Sequence, residues 1–491
     1  MGAGTNRRTF LLTVAGAAAV TGFNPATRAW ATGEDPAPFT RLPALDGKLL
    51  LLPADLGPYD DDFGHIVHRT PIAVLQPGSV RDIAEVIRFC GPLGIPVAPR
   101  GQGHQTYGQA QVSDGVVIDM STLASISVDT SGNTVTAQAG AVWYEVLTAC
   151  VAENLTPPVF PDYIQLSVGG TLSVGGIGGA SSHFGAQLDT VTALEVVTGE
   201  GKIVHCSAAK HPDLFEAALG GLGQFGVIAS ATIKLVPAPQ RVREYTLTYP
   251  TETALTADQR KVVGDGRFNW LEGQLSPAAP TGWAFALEGA VYYDNDNPPD
   301  DAAVLNALGY TGTPATADFT YFDFVNQLAS AIAFLQSTGE WYDPHPWINV
   351  FLPDATTDEY MQATLASLTA GDIGASGVVL LYPVPSSLFT RPFLRIPDSE
   401  LVFLFALLRT ASPDTDALPV EVALTRNRRL YDQAVAAGAT QYPIGSIPGL
   451  TQTDWKNQYG AEWERFAASK RRYDPYSIMT PGQGIFPGPG A

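Results

Sequence analysis

Residues 99–109 read PRGQGHQTYGQ and follow a short apolar run, IPVA, at residues 95–98. The stretch combines closely spaced glycines with His104, one of only seven histidines among the 491 residues. Glycine loses much conformational entropy on folding, so a glycine cluster usually marks a place where the backbone must approach another group closely. A histidine that serves only packing does not need such surroundings. This loop is therefore expected to meet a ligand.

Short apolar runs alternate with helical patterns on both sides of the loop, which indicates an α+β segment. The sequence predicts strands at 73–75, 95–98, 115–120 and 134–137, and helices at 80–91 (with Ser79 as N-cap) and 143–153. Two more glycine-rich stretches follow, at 168–179 and 219–228. Backbone N–H groups in such loops hold anions without a dedicated cation, so three of them predict a phosphate-rich dinucleotide. Neither later stretch has the pattern of a Rossmann fingerprint.

The composition excludes several classes of function. Hydrophobic residues make up 45% of the sequence and charged residues 15%, which predicts a large core in two or three domains. The net charge of −20 argues against binding to nucleic acid or to an anionic membrane surface. Cys90, Cys150 and Cys206 have no metal-binding or redox spacing, and we expect buried free thiols and no metal site.

The first 31 residues have the pattern of a twin-arginine signal peptide. Residues 6–12 read NRRTFLL, an alanine-rich apolar run continues to about residue 22, and AWA at 29–31 fits a small-residue cleavage site. No later stretch reaches the roughly 18 uninterrupted apolar residues of a spanning helix, so no membrane anchor is expected. The prediction is an exported protein, extracellular or periplasmic, folded with its cofactor before export.

Composition also divides the mature protein. The glycine-rich first part, 32–239, ends at a proline-rich junction (PAPQ, 237–240), and a second domain rich in aromatic residues follows at 240–441. The final part, 442–491, contains a basic aromatic helix and then a Gly-Pro loop. We expect the second domain to combine strands and helices and to shape a binding site.

Several of these segments together resemble the cytokinin dehydrogenases, within the vanillyl-alcohol oxidase superfamily of flavoproteins. They are PRGQGH at 99–104, GVVIDMSTL at 115–123, DYIQLSVGGTLSVGG at 162–176, DLFEAALGGLGQFGVI at 213–228, DPHPWINVF at 343–351, and YDP and PGQGIF near the C-terminus. The resemblance implies a discontinuous FAD-binding domain, formed by the chain segments 32–239 and 442–491. This domain is expected to contain two α/β subdomains. It also implies a substrate domain, at 240–441, with an antiparallel sheet covered by helices.

The resemblance further implies FAD joined covalently to His104. The implied cofactor-binding residues are Arg100, Gly101, Gln102, Gly103, His104, Gln105, Gln109, Asp162, Thr171, Leu172, Ser173, Val227, Ile228, Tyr442, Thr480 and Gln483. Asp162, in FPDY, is expected to face the flavin and to accept the substrate N–H proton. Glu272, in WLEG, is expected at the substrate entrance, and Trp347 as a wall of the substrate site.

The implied activity is oxidation of the C–N bond that joins the N6 substituent of an adenine cytokinin, with a quinone or oxygen as external electron acceptor. Three positions depart from the family pattern. Gln105 replaces serine, Val174 replaces asparagine, and the segment 182–187 (SHFGAQ) lacks the family's arginine. A related sugar or alcohol oxidase therefore stays open as an alternative, as does a flavin-free binding protein. A berberine-bridge-like enzyme is disfavoured because AQLDTV at 186–191 lacks the cysteine that links their flavin.

Overall fold

The structure is a computed structural model that describes residues 20–32, 38–278, 282–413 and 415–488. The twin-arginine motif and the start of the apolar run lie outside the described residues. Within them, no helix is long and apolar enough to cross a membrane.

The strands are numbered in sequence order. They are β1 (Val20–Asn24), β2 (Ala29–Thr32), β3 (Thr40–Arg41), β4 (Lys48–Leu50), β5 (Ala73–Gln76), β6 (Val97–Arg100), β7 (Val116–Asp119), β8 (Ile126–Asp129), β9 (Thr134–Gln138), β10 (Leu155–Thr156), β11 (Val191–Thr198), β12 (Ile203–Ser207), β13 (Gly226–Lys234), β14 (Val236–Pro237), β15 (Arg241–Tyr249), β16 (Trp270–Ala278), β17 (Gly282–Tyr293), β18 (Thr311–Thr320), β19 (Ile348–Pro353), β20 (Val378–Pro385), β21 (Leu401–Leu408) and β22 (Thr440–Gln441).

The helices are also numbered in sequence order. They are α1 (Pro53–Leu56), α2 (Val80–Cys90), α3 (Trp143–Val151), α4 (Val168–Val174), α5 (Ser181–Phe184), α6 (Pro212–Ala218), α7 (Glu252–Asp265), α8 (Asp301–Val304), α9 (Tyr321–Val325), α10 (Leu328–Thr338), α11 (Asp354–Ser367), α12 (Ala370–Ile373), α13 (Val420–Ala436), α14 (Gln452–Tyr459) and α15 (Trp463–Tyr473). The predicted α+β character and the predicted elements near the glycine loop are confirmed, with ends shifted by one or two residues.

Two sheets form the first part of the fold. A four-stranded sheet has the order β4-β5-β7-β6, with β5, β7 and β6 parallel, and a five-stranded antiparallel sheet has the order β12-β11-β13-β9-β8. The first two residues of each parallel strand are apolar and buried, because helices and neighbouring segments cover both faces of the sheet there. The three cysteines are free and buried in this part of the core, as predicted.

The start of α2 differs from the prediction in one detail. Ser79 occupies the N-cap position, but its hydroxyl donates to the Asp46 carboxylate at 2.9 Å and makes no cap. Asp82, in the first turn, instead accepts hydrogen bonds from the N–H groups of Asp46, Gly47 and Gly78 at 2.7–2.8 Å. The aspartate thus ties the segment before β4 and the turn after β5 to the helix; the contact with the segment before β4 is long-range, and local sequence does not reveal it.

An eight-stranded antiparallel sheet in the order β18-β15-β17-β16-β20-β21-β19-β22 forms the second part. Alternate residues of a strand point to opposite faces. Phe403, Phe405 and Leu407 of β21 therefore pack in the core with residues of α7, α11 and α13, whereas Leu404 and Ala406 face the first part of the fold. The interface between the two parts lies on this second face.

The first described residues form a hairpin of β1 and β2 that joins β3 in a small sheet. Phe23 is buried, and the indole N–H of Trp30 donates to the carbonyl of Ile72 at 3.0 Å. The AWA sequence proposed for cleavage lies in β2 of this hairpin. Export and cleavage remain a prediction.

The C-terminal segment returns to the four-stranded sheet. The N–H of Val97 donates to the carbonyl of Ile478, and the N–H of Thr480 donates to the carbonyl of Val97, both at 2.8 Å. Residues 478–480 therefore cover the free edge of β6, directly before the glycine loop. Lys470 of α15 supports this return, because its buried ammonium lies 2.8 Å from the Asp474 carboxylate and donates to the carbonyls of Gln224 and Met479.

Replacing Lys470 by methionine is expected to destabilise the protein by about 3–5 kcal/mol, because the buried Asp474 carboxylate loses its cation. Denaturant unfolding measures this loss. The matched control is Arg471→Met, a change of an exposed neighbouring cation that should alter the free energy of unfolding by less than about 0.5 kcal/mol. Equal effects of the two substitutions would contradict a special role for the buried ion pair.

Candidate active site

A cavity of about 420 Å³ lies between the first part of the fold and the inner face of the eight-stranded sheet. Its wall contains all but one of the site residues predicted from the sequence: Arg100, Gly101, Gln102, Gly103, His104, Gln105, Gln109, Asp162, Thr171, Ser173, Val227, Ile228, Glu272, Trp347, Tyr442, Thr480 and Gln483. Leu172 is the exception. Helix α4 turns its side chain away from the cavity and into the core, where it is fully buried.

The loop after β6 shows why glycine is required. A Cβ on Gly101 would lie 1.9 Å from the Ser167 hydroxyl oxygen, and Gly103 has a φ of +67°, a conformation that side chains disfavour. Among the described residues, none accepts a hydrogen bond from the backbone N–H groups of residues 102–105. Successive backbone N–H groups without a partner in a glycine loop form an anion-binding concavity, so these groups are suited to a bound anion such as a pyrophosphate.

The polar side chains of this loop differ in whether they have hydrogen-bond partners within the protein. The guanidinium of Arg100 donates to the carbonyl of Asp61, and burial lowers its pKa. The Gln109 amide is engaged within the protein, with the carbonyl of Gly445 and the N–H of Tyr107. Gln105, in contrast, has a buried amide oxygen without a hydrogen-bond partner among the described residues. Gln105 can therefore accept a hydrogen bond from a ligand in the cavity.

His104 stands in an aromatic stack at the cavity wall. Its ring lies 4.0 Å from the ring of Phe63, centroid to centroid, and Phe63 stacks on His345 at the same distance. Burial, with the neighbouring His345, lowers the pKa of His104 to about 3. No hydrogen bond to its ring is made by any of the described residues. A neutral imidazole with free ring nitrogens facing a cavity is a good nucleophile and a good point of covalent attachment.

Asp162 and Glu272 form a pair of carboxyl groups on the same cavity wall. Asp162 lies in the loop before α4, and Glu272 near the start of β16 is 4% exposed. Burial raises the pKa of Asp162 to about 6, while burial and the Asp162 charge raise the pKa of Glu272 well above its usual value. A side-chain hydrogen bond joins the two carboxyl groups; it lowers the pKa of Asp162 and raises the pKa of Glu272. The prediction of an entrance position for Glu272 did not anticipate this direct contact.

Other cavity residues had no assigned role in the sequence analysis. Tyr163 and Trp341 lie 5.1 and 5.9 Å from His104, ring to ring, and complete an aromatic wall with Trp347. His345 was part of the quoted motif DPHPWINVF, which is the signal that could have identified it. Phe63 lies in no motif, and only the fold places it between two histidines.

Two C-terminal contacts close the cavity. The Tyr442 hydroxyl accepts a hydrogen bond from the N–H of Gly176 at 3.2 Å, and the Thr480 hydroxyl donates to the carbonyl of Gly223 at 2.9 Å. A further donor without a partner among the described residues, the amide group of Asn349, is buried at the cavity wall. Free loop N–H groups, unpaired amides and a flat aromatic wall together fit a dinucleotide with a planar ring system.

Comparisons with known proteins agree with this fit. Residues 276–486 match the family described as "Cytokinin dehydrogenase 1, FAD and cytokinin binding", and residues 71–207 match "FAD binding domain". The protein is 35% identical to cytokinin dehydrogenase 5 of Oryza sativa subsp. japonica, over 90% of its own length and 92% of the rice protein. It belongs to the cytokinin dehydrogenase family. It is an FAD-dependent oxidoreductase.

This member of the cytokinin dehydrogenase family is also similar to three other proteins, one in sequence and two in fold. It is 40% identical to the "uncharacterized oxidoreductase ORF5 in fasciation locus" of Rhodococcoides fascians, over 86% of its own length and 95% of that protein. It is similar in fold to 6-hydroxy-D-nicotine oxidase of Arthrobacter nicotinovorans, with a TM-score of 0.69, 20% identity and coverage of 89% and 97%. A chitooligosaccharide oxidase has a TM-score of 0.71 at 16% identity, with coverage of 90% and 97%. The predicted vanillyl-alcohol oxidase-type fold is confirmed.

Proposed function

We propose that this protein oxidises the C–N bond of the N6 substituent in adenines of the cytokinin type. The observation that carries the proposal is the Asp162–Glu272 pair, which holds one carboxylate ready to accept a proton on the wall of the FAD cavity. Oxidation of an amine to a neutral imine, or of an alcohol to a carbonyl, removes a hydride from carbon and the proton of the neighbouring N–H or O–H. A buried carboxylate within reach of that proton supplies the base.

The proposed reaction is a two-electron oxidation followed by hydrolysis. The substrate loses the N–H proton to Asp162 and a hydride from the adjacent carbon, and a C=N bond forms. FAD, when bound, supplies the two-electron acceptor for this oxidation. Water then adds to the imine, and its hydrolysis gives adenine and an aldehyde. Glu272 stabilises the Asp162 carboxylate by donating to it and so sets the orientation of the base.

The wall opposite the loop supports an apolar substituent on the substrate. Leu380, Leu404, Ala406 and Leu408 from β20 and β21 line the cavity, as do Ile332 and Leu335 from helix α10. The alternation of β21 presents these residues to the cavity while its other face packs on helices. A branched hydrocarbon group attached to adenine would bury its apolar surface here.

The covalent bond between His104 and FAD belongs to the same proposal. The support is a neutral imidazole with free ring nitrogens directly after loop N–H groups that suit a pyrophosphate. An exported enzyme also gains from a tether, because a lost cofactor cannot be replaced outside the cell. We therefore also propose export by the twin-arginine route, on the sequence of residues 6–31, and reoxidation by an external quinone or by oxygen.

The substrate proposal is tested with the purified protein, N6-isopentenyladenine and a dye acceptor across a broad pH range. We expect dye reduction together with release of adenine. Matched assays with an aldose and with an alcohol probe the sugar and alcohol oxidase alternatives. Dye reduction by an aldose in the absence of any reaction with the adenine would overturn the substrate proposal while leaving the flavoprotein assignment intact.

A further inference from the structure

A second cavity, of about 260 Å³, lies beside the Asp162–Glu272 pair. Four acidic residues line it, namely Asp162, Glu244, Glu272 and Glu288, and no lysine, arginine or histidine is among its described lining residues. Carboxyl groups grouped without a countercharge are costly, because burial and mutual repulsion both disfavour the charged form. Such a grouping calls for a functional explanation.

The strand register explains how the carboxyls form a row. Glu272 of β16 and Glu288 of β17 are direct partners across the antiparallel ladder, and Glu288 in turn is opposite Thr246 of β15. Residues two apart share a face, so Glu244 lies beside Thr246 on the same side of the sheet. Cβ atoms of direct partners are about 4.5–5.5 Å apart, and like charges at that separation destabilise a sheet. The row runs from Asp162 through Glu272 and Glu288 to Glu244.

Glu272 is the most buried carboxyl group of this row. Glu272 is buried, with one carboxyl oxygen that lacks a hydrogen-bond partner among the described residues, whereas Glu288 and Glu244 are half-buried. The amide group of Gln274, next to Glu272 on the same face of β16, donates to Glu288 at 2.8 Å and holds it in place. The row thus connects the base at the FAD cavity to a more exposed carboxyl group on the opposite side.

We propose that Glu288 and Glu244 form a proton exit path that carries the substrate N–H proton from the Asp162–Glu272 pair to solvent. The proposal rests on the proposed function, since it takes the proton that Asp162 accepts. When that proton reaches Asp162, Glu272 passes its own proton to the Glu288 carboxylate, directly or through water in the second cavity, and then receives the proton from Asp162. Glu288 releases its proton past Glu244. Each carboxyl group returns to its starting state.

The acid strength of Glu288 suits a group that exchanges protons with solvent. Burial and the neighbouring Glu244 charge raise the pKa of Glu288 to about 7, so it both accepts and releases a proton near neutral pH. Burial raises the pKa of Glu244 as well. The other polar side chains that line the second cavity are Gln274, Gln327, the hydroxyl groups of Tyr292 and Tyr321 and the indole of Trp270, and none of them is a cation.

The test separates proton release from flavin reduction in a single turnover. Holoenzyme is mixed without oxygen with N6-isopentenyladenine in weak buffer, and the flavin absorbance and a pH indicator are followed together. In the wild type we expect the two signals to change at the same rate. In Glu288→Gln we expect flavin reduction within about threefold of the wild-type rate and proton release slower by about tenfold or more.

The matched control is Glu195→Gln, which changes a half-buried glutamate on β11, in a different sheet, and should keep both signals synchronous. Synchronous signals in Glu288→Gln would overturn the exit path. Absence of flavin reduction in the wild type would instead refute the proposed substrate.

A second measurement is independent of turnover. In the infrared spectrum of the holoenzyme without substrate, we expect a carboxyl band that titrates near pH 7 and is lost in Glu288→Gln. The remaining Glu272 band should titrate at lower pH in the variant, because the Glu288 charge contributes to the raised pKa of Glu272. An unchanged carboxyl titration in Glu288→Gln would overturn the exit path whatever the substrate.

Discussion

His104→Ala is expected to release all of the FAD into the supernatant when the protein is precipitated with acid, whereas the wild type should release none. The imidazole is the proposed attachment point, and alanine offers no atom that could replace it. The loop N–H groups and the unpaired amides of Gln105 and Asn349 remain, so the variant should still bind FAD and be yellow before denaturation. Flavin fluorescence of the protein band after denaturing electrophoresis measures the covalent fraction.

The matched control for this experiment is His345→Gln. His345 belongs to the same stack on Phe63 and has a similarly lowered pKa, of about 3, but its ring nitrogen bonds the carbonyl of Phe63. We expect this variant to keep its covalent flavin. Retention of covalent flavin in His104→Ala, or its loss in His345→Gln alone, would contradict the assignment of the attachment point.

The second large effect is expected for Asp162→Asn. Asparagine has the shape of aspartate but cannot accept the substrate proton, so kcat should fall by about 10²–10⁴-fold while the flavin content stays the same. Glu272→Gln should cost less, about tenfold or below, because the glutamine amide can still donate to the Asp162 carboxylate. Asp129→Asn, at the exposed end of β8 and outside the cavity lining, serves as the control and should leave kcat unchanged.

The pH profile gives this prediction a second readout. The pKa of Asp162 is raised to about 6, so its carboxylate is present above that pH and is protonated below it. For the wild type, kcat/KM should therefore rise through about pH 6 and level off above it. The residual activity of Asp162→Asn should lack this rise. A wild-type profile with no acid limb, or a variant that keeps it, would remove Asp162 from the role of base.

Local sequence was sufficient to predict the glycine loop and the secondary structure on both sides of it. The strand before residue 101, the helix 80–90 and the buried cysteines follow from periodicity and from turn chemistry that acts over a few residues. Quoted motifs also located nearly every predicted residue of the cavity wall. Leu172 shows the limit, since a motif indicates that a segment is near a ligand but not which residues a short helix turns toward it.

The amino-acid sequence by itself determined the glycine loop with its histidine, the α+β pattern and the motifs of an FAD-dependent oxidoreductase. Only the tertiary structure decided that Phe63 lies between His104 and His345 and that Glu272 is hydrogen-bonded to Asp162. It also decided that Glu272 and Glu288 are opposite each other in the neighbouring strands β16 and β17. The physical reason is separation in sequence. Backbone conformation follows from neighbours a few residues away, whereas these contacts join segments up to 282 residues apart and depend on strand register.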